Sequence, residues 1–243
     1  MGSTTPDRFG HVEAVVFDVF GTVVDWRSSI ISELTAFGRA RGISADWTAF
    51  TDEWRSLYQP AMEEVRSGRR AWTILDVLHR ESLVTLLSRH GIASLSDDDI
   101  DHLTRCWHRL TPWPDVIDGL TRLKRRFIIG PMSNGNVGLL TRMAKHAALP
   151  WDVILGAETS QAYKPLPQSY LRAAELMNLA PRAMMLVAAH NDDLRAARNA
   201  GLSTGFVARP TEYGPHQTKN LVAEEAWDVV AFDFGDVADR LGC

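Results

Sequence analysis

Positions 14–17, Ala-Val-Val-Phe, form an apolar run that stops abruptly at Asp18-Val19-Phe20-Gly21-Thr22. A short run without polar alternation reads as a strand buried on both faces, as in a parallel sheet. Gly21 permits a tight turn where the strand ends. Comparable runs recur at 126–132, 153–156, 184–189, 204–208 and 227–234, separated by helical spacing at 115–124, 137–148, 168–177 and 194–200. A short helix is expected at the C-terminus. Alternation at this interval predicts right-handed crossovers and a parallel α/β sheet with helices on both faces.

Between residues 27 and 110 the strand pattern disappears. Ile30, Leu34 and Phe37 share one helical face, with Gly42 as a stop. Residues 47–65 place Phe50, Trp54, Leu57 and Met62 at helical spacing, with an interruption expected at Pro60. Residues 72–89 carry Leu75, Leu78, Leu83 and Leu86, and Ser96 caps a helix over 97–110 that opens with three aspartates. This predicts a helical unit inserted directly after the first strand. The segment 209–218, with two prolines and a glycine, reads as a surface loop.

Composition narrows the class. With 243 residues, 45% hydrophobic and 23% charged, the chain is long and apolar enough for a sizeable core. A net charge of −4 gives no basic field for nucleic acid. No apolar run approaches the ~20 residues that span a bilayer. The first ten residues lack the apolar core of a signal peptide and read as a polar tail. Two cysteines, Cys106 and Cys243, make no disulfide framework, and a reducing, cytoplasmic setting is expected.

Polar groups end strand after strand: Asp18 with Thr22, Ser133 with Asn134, Lys164 in a loop, and His190 with Asp193. In isolation each has a plain explanation as a turn former, a solvated lysine or a helix cap. In a parallel sheet, however, these ends converge on one crevice, where ligands bind. A carboxylate, a hydroxyl, a lysine and a second carboxylate would then share one pocket.

The order Asp18-x-Phe-Gly-Thr22, Ser133-Asn134-Gly, Lys164-Pro and Asp193 resembles the haloacid dehalogenase-like (HAD) hydrolase superfamily, from about residue 13 to 210. The resemblance implies a Rossmann-like core, residues 1–26 and 112–243, and a helical cap domain, residues 27–111. It makes Asp18 the covalent nucleophile. Phosphatase members carry an acid two residues after the nucleophile and a metal-binding acid at the fourth motif. Those positions are Phe20 and Ala189 here, which argues against phosphoryl transfer.

The remaining pattern resembles the (S)-2-haloacid dehalogenases, which need no metal or other cofactor. That resemblance implies hydrolysis of short 2-haloalkanoic acids to 2-hydroxy acids through an ester on Asp18, with inversion. Lys164 would keep Asp18 ionised, and Thr22 and Ser133 would hydrogen-bond reactant oxygens. Arg55, in a Trp54-Arg55 pair, would receive the halide with help from Asn134. Tyr170, six residues past Lys164, would orient substrate or support the lysine. Val19, Phe20 and, as an apolar wall, Trp72 complete the expected substrate-binding set. Asp193 would serve the hydrolytic step, and His190, where the family has an asparagine, could position water or accept its proton. The expected partners are a small haloacid and its halide, with no nucleic acid or membrane, and members are often homodimers. The alternatives are a magnesium-dependent phosphatase on a small phosphoester and a non-catalytic binding protein. The preferred halide and chain length stay open.

Overall fold

The computed structural model describes residues 8–93 and 95–243; the rest of the expected polar tail lies outside the described residues. The chain opens with β1 (Ala14–Phe17), buried throughout, and a short β2 (Val24–Asp25). Five helices follow: α1 (Trp26–Arg41), α2 (Trp47–Ser56), α3 (Tyr58–Arg66), α4 (Leu75–Arg89) and α5 (Asp97–Thr104). Then β3 (Thr111–Pro112) returns to pair antiparallel with β2. The remainder alternates as α6 (Val116–Leu123), β4 (Ile128–Ser133), α7 (Val137–Ala147), β5 (Leu155–Gly156), α8 (Pro167–Leu176), β6 (Met184–Ala188), α9 (Asn191–Asn199), β7 (Ser203–Val207), β8 (Val229–Ala231) and α10 (Phe234–Arg240).

Six strands form one sheet in the order β5-β4-β1-β6-β7-β8, every pair parallel. Val16 of β1 lies between Gly130 of β4 and Leu186 of β6. The chain leaves β1 for one side of the sheet and returns to the other. The crevice beyond Phe17 is therefore the topological switch point, where ligands collect in such sheets. Val15 and Phe17 pack into one core layer and Ala14 and Val16 into the other, as strand alternation dictates.

Several boundaries differ from the sequence expectation. The helix over 47–65 breaks at Leu57 rather than Pro60. Pro60 sits in the first turn of α3, where backbone N–H groups have no intrahelical acceptor and proline costs little. The last apolar run, 227–234, supplies a strand of only three residues, because Asp233 caps α10. The segment after β7 is the expected loop, with Pro210, Thr211, Pro215, His216 and Thr218 exposed, but it turns two charged side chains inward. Arg209 and Glu212 are buried; Arg209 donates from Nε to the Thr22 carbonyl and from both Nη atoms to Asp115, each at 2.9 Å. Both cysteines are free. Among the described residues no helix is long and apolar enough to cross a membrane.

The joint between α6 and α10 has no spare volume. A Cβ on Gly119 would lie 2.5 Å from Phe234 Cβ and 2.7 Å from its backbone. Replacing glycine by alanine favours a helix by up to ~1 kcal/mol, but overpacking against backbone costs ~1–3 kcal/mol. Gly119→Ala is thus expected to lower the urea midpoint; an unchanged or raised midpoint would show that the joint yields.

Candidate active site

Asp18 follows β1 at the switch point, 9% exposed. The turn behind it is set by Gly21, whose φ of 89° suits glycine. The turn folds Thr22 back, so its hydroxyl donates to Asp18 Oδ2 at 2.8 Å and accepts the Ala189 N–H at 2.9 Å. Lys164 Nζ lies 3.4 Å from Asp18 Oδ1 and 2.7 Å from Asp193 Oδ2. Tyr170 donates its hydroxyl to Asp193 Oδ1 at 2.6 Å, and Asn134 Oδ1 accepts the Lys164 N–H at 2.8 Å. Lys164 thereby joins Asp18 and Asp193 through its ammonium and Asn134 through its backbone N–H.

A second chain of contacts approaches Asp18 from the other side. His190 Nδ1 is 3.1 Å from Asp18 Oδ2, and its Nε2 is 2.9 Å from Glu212 Oε2. Glu212 Oε1 accepts from the Trp26 indole at 3.1 Å.

The helical segment supplies the roof. Arg55, on α2, holds its guanidinium over the rings of Tyr58 at 4.1 Å, Trp26 at 5.0 Å and Phe20 at 6.0 Å. Ring faces attract a cation but do not consume its N–H donors. Arg55 Nη1 is buried with no hydrogen-bond partner among the described residues. Between roof and floor lies a cavity of about 400 Å³, lined among others by Asp18, Phe20, Arg55, Tyr58, Asn134, Lys164 and Tyr213.

The sequence-predicted residues divide. Asp18, Phe20, Arg55, Asn134, Lys164, Tyr170, His190 and Asp193 all line this cavity. Thr22 does not; it is fully buried and bonds Asp18 itself. Ser133 lies off the lining, its hydroxyl oxygen accepting the Gly135 N–H at 3.1 Å, and no hydrogen bond joins it to Asp18. Val19 is core, its carbonyl accepting from Val23 and Val24. Trp72 is not the apolar wall of the cavity: it packs on Tyr163 with centroids 5.0 Å apart. Phe20, Tyr58 and Tyr213 supply the apolar surface instead. Tyr58 and Tyr213, with Glu212, are the residues sequence reading missed. Tyr58 stands three positions after Arg55, the one signal that could have found it. Glu212 has no such signal.

Charges are fixed by these contacts. Burial by itself would raise the Asp18 carboxyl, but Lys164, His190 and the Thr22 hydroxyl together hold it well below the usual carboxylate range. Burial works against the charge of Lys164, and Asp193 and Asp18 more than offset it. His190 is driven well above its ordinary value by Glu212 and Asp18 despite burial. Two carboxylates so placed favour the protonated imidazole, which weighs against the proton-acceptor role contemplated from the sequence.

The donor set does not fit the magnesium ion that phosphatases of this fold use. A hard dication needs about six oxygen ligands. Here Lys164 bridges Asp18 and Asp193, and Phe20 and Ala189 supply no side-chain oxygen where the phosphatases carry acids.

A family model described as haloacid dehalogenase-like hydrolase matches residues 12–201, and the chain belongs to that family. It is 48% identical to a defluorinating L-2-haloacid dehalogenase whose crystal structure covers 96% of each chain with a TM-score of 0.94. A second L-2-haloacid dehalogenase structure is 47% identical, covering 95% of this chain and 98% of that one, with a TM-score of 0.92. An (S)-2-haloacid dehalogenase of Xanthobacter autotrophicus is 28% identical over 82% of this chain and 76% of its own length.

A depressed carboxyl stabilises the fold above its unfolded pKa, near ~3.9, and that contribution fades as pH falls through the lower folded value. The stability difference between wild type and Asp18→Asn should stay constant from about pH 5 to 7 and change only below ~4. Urea unfolding across that range checks it; a change centred near pH 6 would mean that Asp18 is not held ionised. At the neighbouring carboxylate, Tyr170→Phe removes a hydrogen bond to a charged group and should cost ~1.5–3 kcal/mol by the same measurement. A loss below ~0.5 kcal/mol would make Tyr170 a mere packing residue.

Proposed function

We propose that the protein hydrolyses short 2-haloalkanoic acids to 2-hydroxy acids through an ester on Asp18, without a metal ion. The observation that carries this reading is the Lys164 ammonium set between Asp18 and Asp193, where phosphoryl transfer would need a dication. The likeness to L-2-haloacid dehalogenases at 48% and 47% identity supports the substrate class and the (S) preference.

The geometry suits displacement at carbon. Asp18 Oδ2 is tied by Thr22 and His190, while Oδ1 has only the 3.4 Å contact to Lys164. Oδ1 is the freer lone-pair donor and attacks C2. As the C–O bond forms, the C–X bond breaks and the halide leaves with its electron pair towards Arg55, whose unused N–H faces no acceptor. A halide needs no protonation to leave, so Phe20 in place of an acid is no handicap. Exclusion of water by the surrounding rings keeps the nucleophile reactive. Water then opens the ester, and inversion at C2 gives the (R)-2-hydroxy acid.

Residues 27–111 act as a cap over a core of 1–26 and 112–243. The β2–β3 pair at the two ends of the segment supports that division, as do Arg55 and Tyr58 reaching the cavity. Free Cys106 and Cys243 support a reducing, cytoplasmic setting.

In EDTA, wild type should release chloride from chloroacetate and (S)-2-chloropropionate but not from the (R) enantiomer. Asp18→Asn should fall to background, and Arg55→Leu should lose ~10²–10³ in kcat, the usual effect of deleting one preorganised donor. Turnover that disappears with EDTA, or magnesium-dependent release of phosphate from p-nitrophenyl phosphate without halide release, overturns the proposal. Fluoroacetate in the same assay tests whether the defluorination named for one relative extends to this chain.

A further inference from the structure

Displacement at carbon uses Asp18, Lys164 and Arg55 and asks of His190 only that it help keep Asp18 ionised, yet the fold goes to some length to install both His190 and Glu212. Glu212 is 1% exposed, and a buried unpaired carboxylate is costly. Both its oxygens are engaged, by Trp26 at 3.1 Å and His190 at 2.9 Å. The turn at Gly21 makes the room: a Cβ there would lie 2.1 Å from Glu212 Oε1. Arg209, three residues before Glu212, fastens the segment to the Thr22 carbonyl at 2.9 Å. The turn that presents the nucleophile and the segment that presents Glu212 are thus one assembly.

His190 has a carboxylate oxygen at each ring nitrogen. Both contacts are hydrogen bonds only when both nitrogens carry hydrogen, that is, in the imidazolium. The anions facing the ring are Asp18 and Glu212. Asp192 and Asp193, on the helix that follows it, and the cations Lys164, Arg55 and Lys219 share the cavity. The two carboxylates in direct contact decide the charge.

We infer that the His190 imidazolium is the oxyanion donor of the ester-opening half-reaction, with Glu212 as the residue that positions it. The inference rests on the dehalogenase reading above. If Oδ1 forms the ester, Oδ2 becomes its carbonyl oxygen and keeps the two donors it already has, the Thr22 hydroxyl at 2.8 Å and His190 Nδ1–H at 3.1 Å. Water attacks Cγ; a C–O bond forms, and the carbonyl π pair moves onto Oδ2, between those donors. One water proton passes to the Asp193 carboxylate. On collapse the π pair re-forms, the bond from Cγ to the 2-hydroxy acid's oxygen breaks, and that oxygen takes the proton from Asp193. Asp18 emerges as its acid and loses its proton to solvent. His190 keeps its proton throughout. Donors placed before the charge develops are usually the largest single contribution to acyl-group chemistry.

The test is single-turnover rapid quench with chloroacetate, reading halide and the mass of the Asp18 peptide in wild type, Glu212→Gln and His190→Gln. In both variants the halide burst, still one per active site, should slow far less than ester hydrolysis, which should slow by ~10²–10³ so that the ester accumulates. In Glu212→Gln the histidine loses its paired anion, and hydrolysis should fall as pH rises through about 6.5, where wild type stays flat. A structural role alone would not create that limb. His190→Gln leaves the Trp26–Glu212 bond in place and decides the matter should Glu212→Gln not fold. A normal burst followed by unslowed hydrolysis, or equal slowing of both half-reactions, overturns this assignment alone. No halide from wild type overturns it together with the dehalogenase reading.

Discussion

Lys164 Nζ stands 2.7 Å from Asp193 and 3.4 Å from Asp18, with all three side chains at most 12% exposed. At an effective dielectric near 20, two unit charges ~4 Å apart interact by about 4 kcal/mol. Taking a charge out of water costs several kcal/mol. The ammonium therefore keeps its charge here through the two carboxylates, and Asp18 stays ionised through the ammonium together with His190 and Thr22. Three anions (Asp18, Asp193, Glu212) face three cations (Lys164, His190, Arg55). Arg55 differs from the other two cations, being surrounded by rings rather than carboxylates. In the proposed reaction it is the cation that receives the halide.

The fold places these groups by simple means. A sheet that reverses its winding at β1 opens a crevice at the carboxyl ends of β1, β4 and β6. Polar residues at those ends need only short loops to meet. The helical segment enters and leaves through β2 and β3, which fixes its base beside Asp18 and carries Arg55 and Tyr58 over the opening. Backbone-held groups form the floor and side chains from another element the roof. A small molecule can then be held between roof and floor without a long loop.

What the sequence revealed follows from the same geometry. Asp18, Asn134, Lys164 and Asp193 each end or follow a strand, and a parallel sheet turns that one-dimensional regularity into proximity. Tyr170 and Arg55 were legible through fixed spacing within a known pattern. Trp72 was not: aromatic residues in a helical unit read as apolar surface, but which surface they meet depends on packing, and Trp72 met Tyr163. Glu212 was hidden most completely. It lies in a segment whose prolines and glycine signal exposure, and its partner Trp26 is 186 residues away. Only the coordinates show that Gly21, legible as a turn former, also leaves space for a carboxylate. The β2–β3 pair, two residues on each side, is too short to leave any pattern.

The comparison with phosphatases of the same fold reduces to what neutralises the nucleophile's surroundings. A phosphoryl group arrives with charge on several oxygens, and a dication bridging them to the aspartate serves both partners. A haloacid brings its charge on a carboxylate one carbon away from the reacting centre, and the bond that breaks carries its electrons out on a halide. A dication at the nucleophile would hold the very lone pair that must attack. An ammonium at 3.4 Å helps keep the carboxylate ionised while leaving Oδ1 loosely held, and in the proposed reaction Arg55 takes up the leaving charge. Phe20 and Ala189 are consistent with this division: neither the proton donor nor the metal-binding acid has a task once carbon replaces phosphorus. The carboxylate and the sheet are kept, and the placement of positive charge around them selects the reaction.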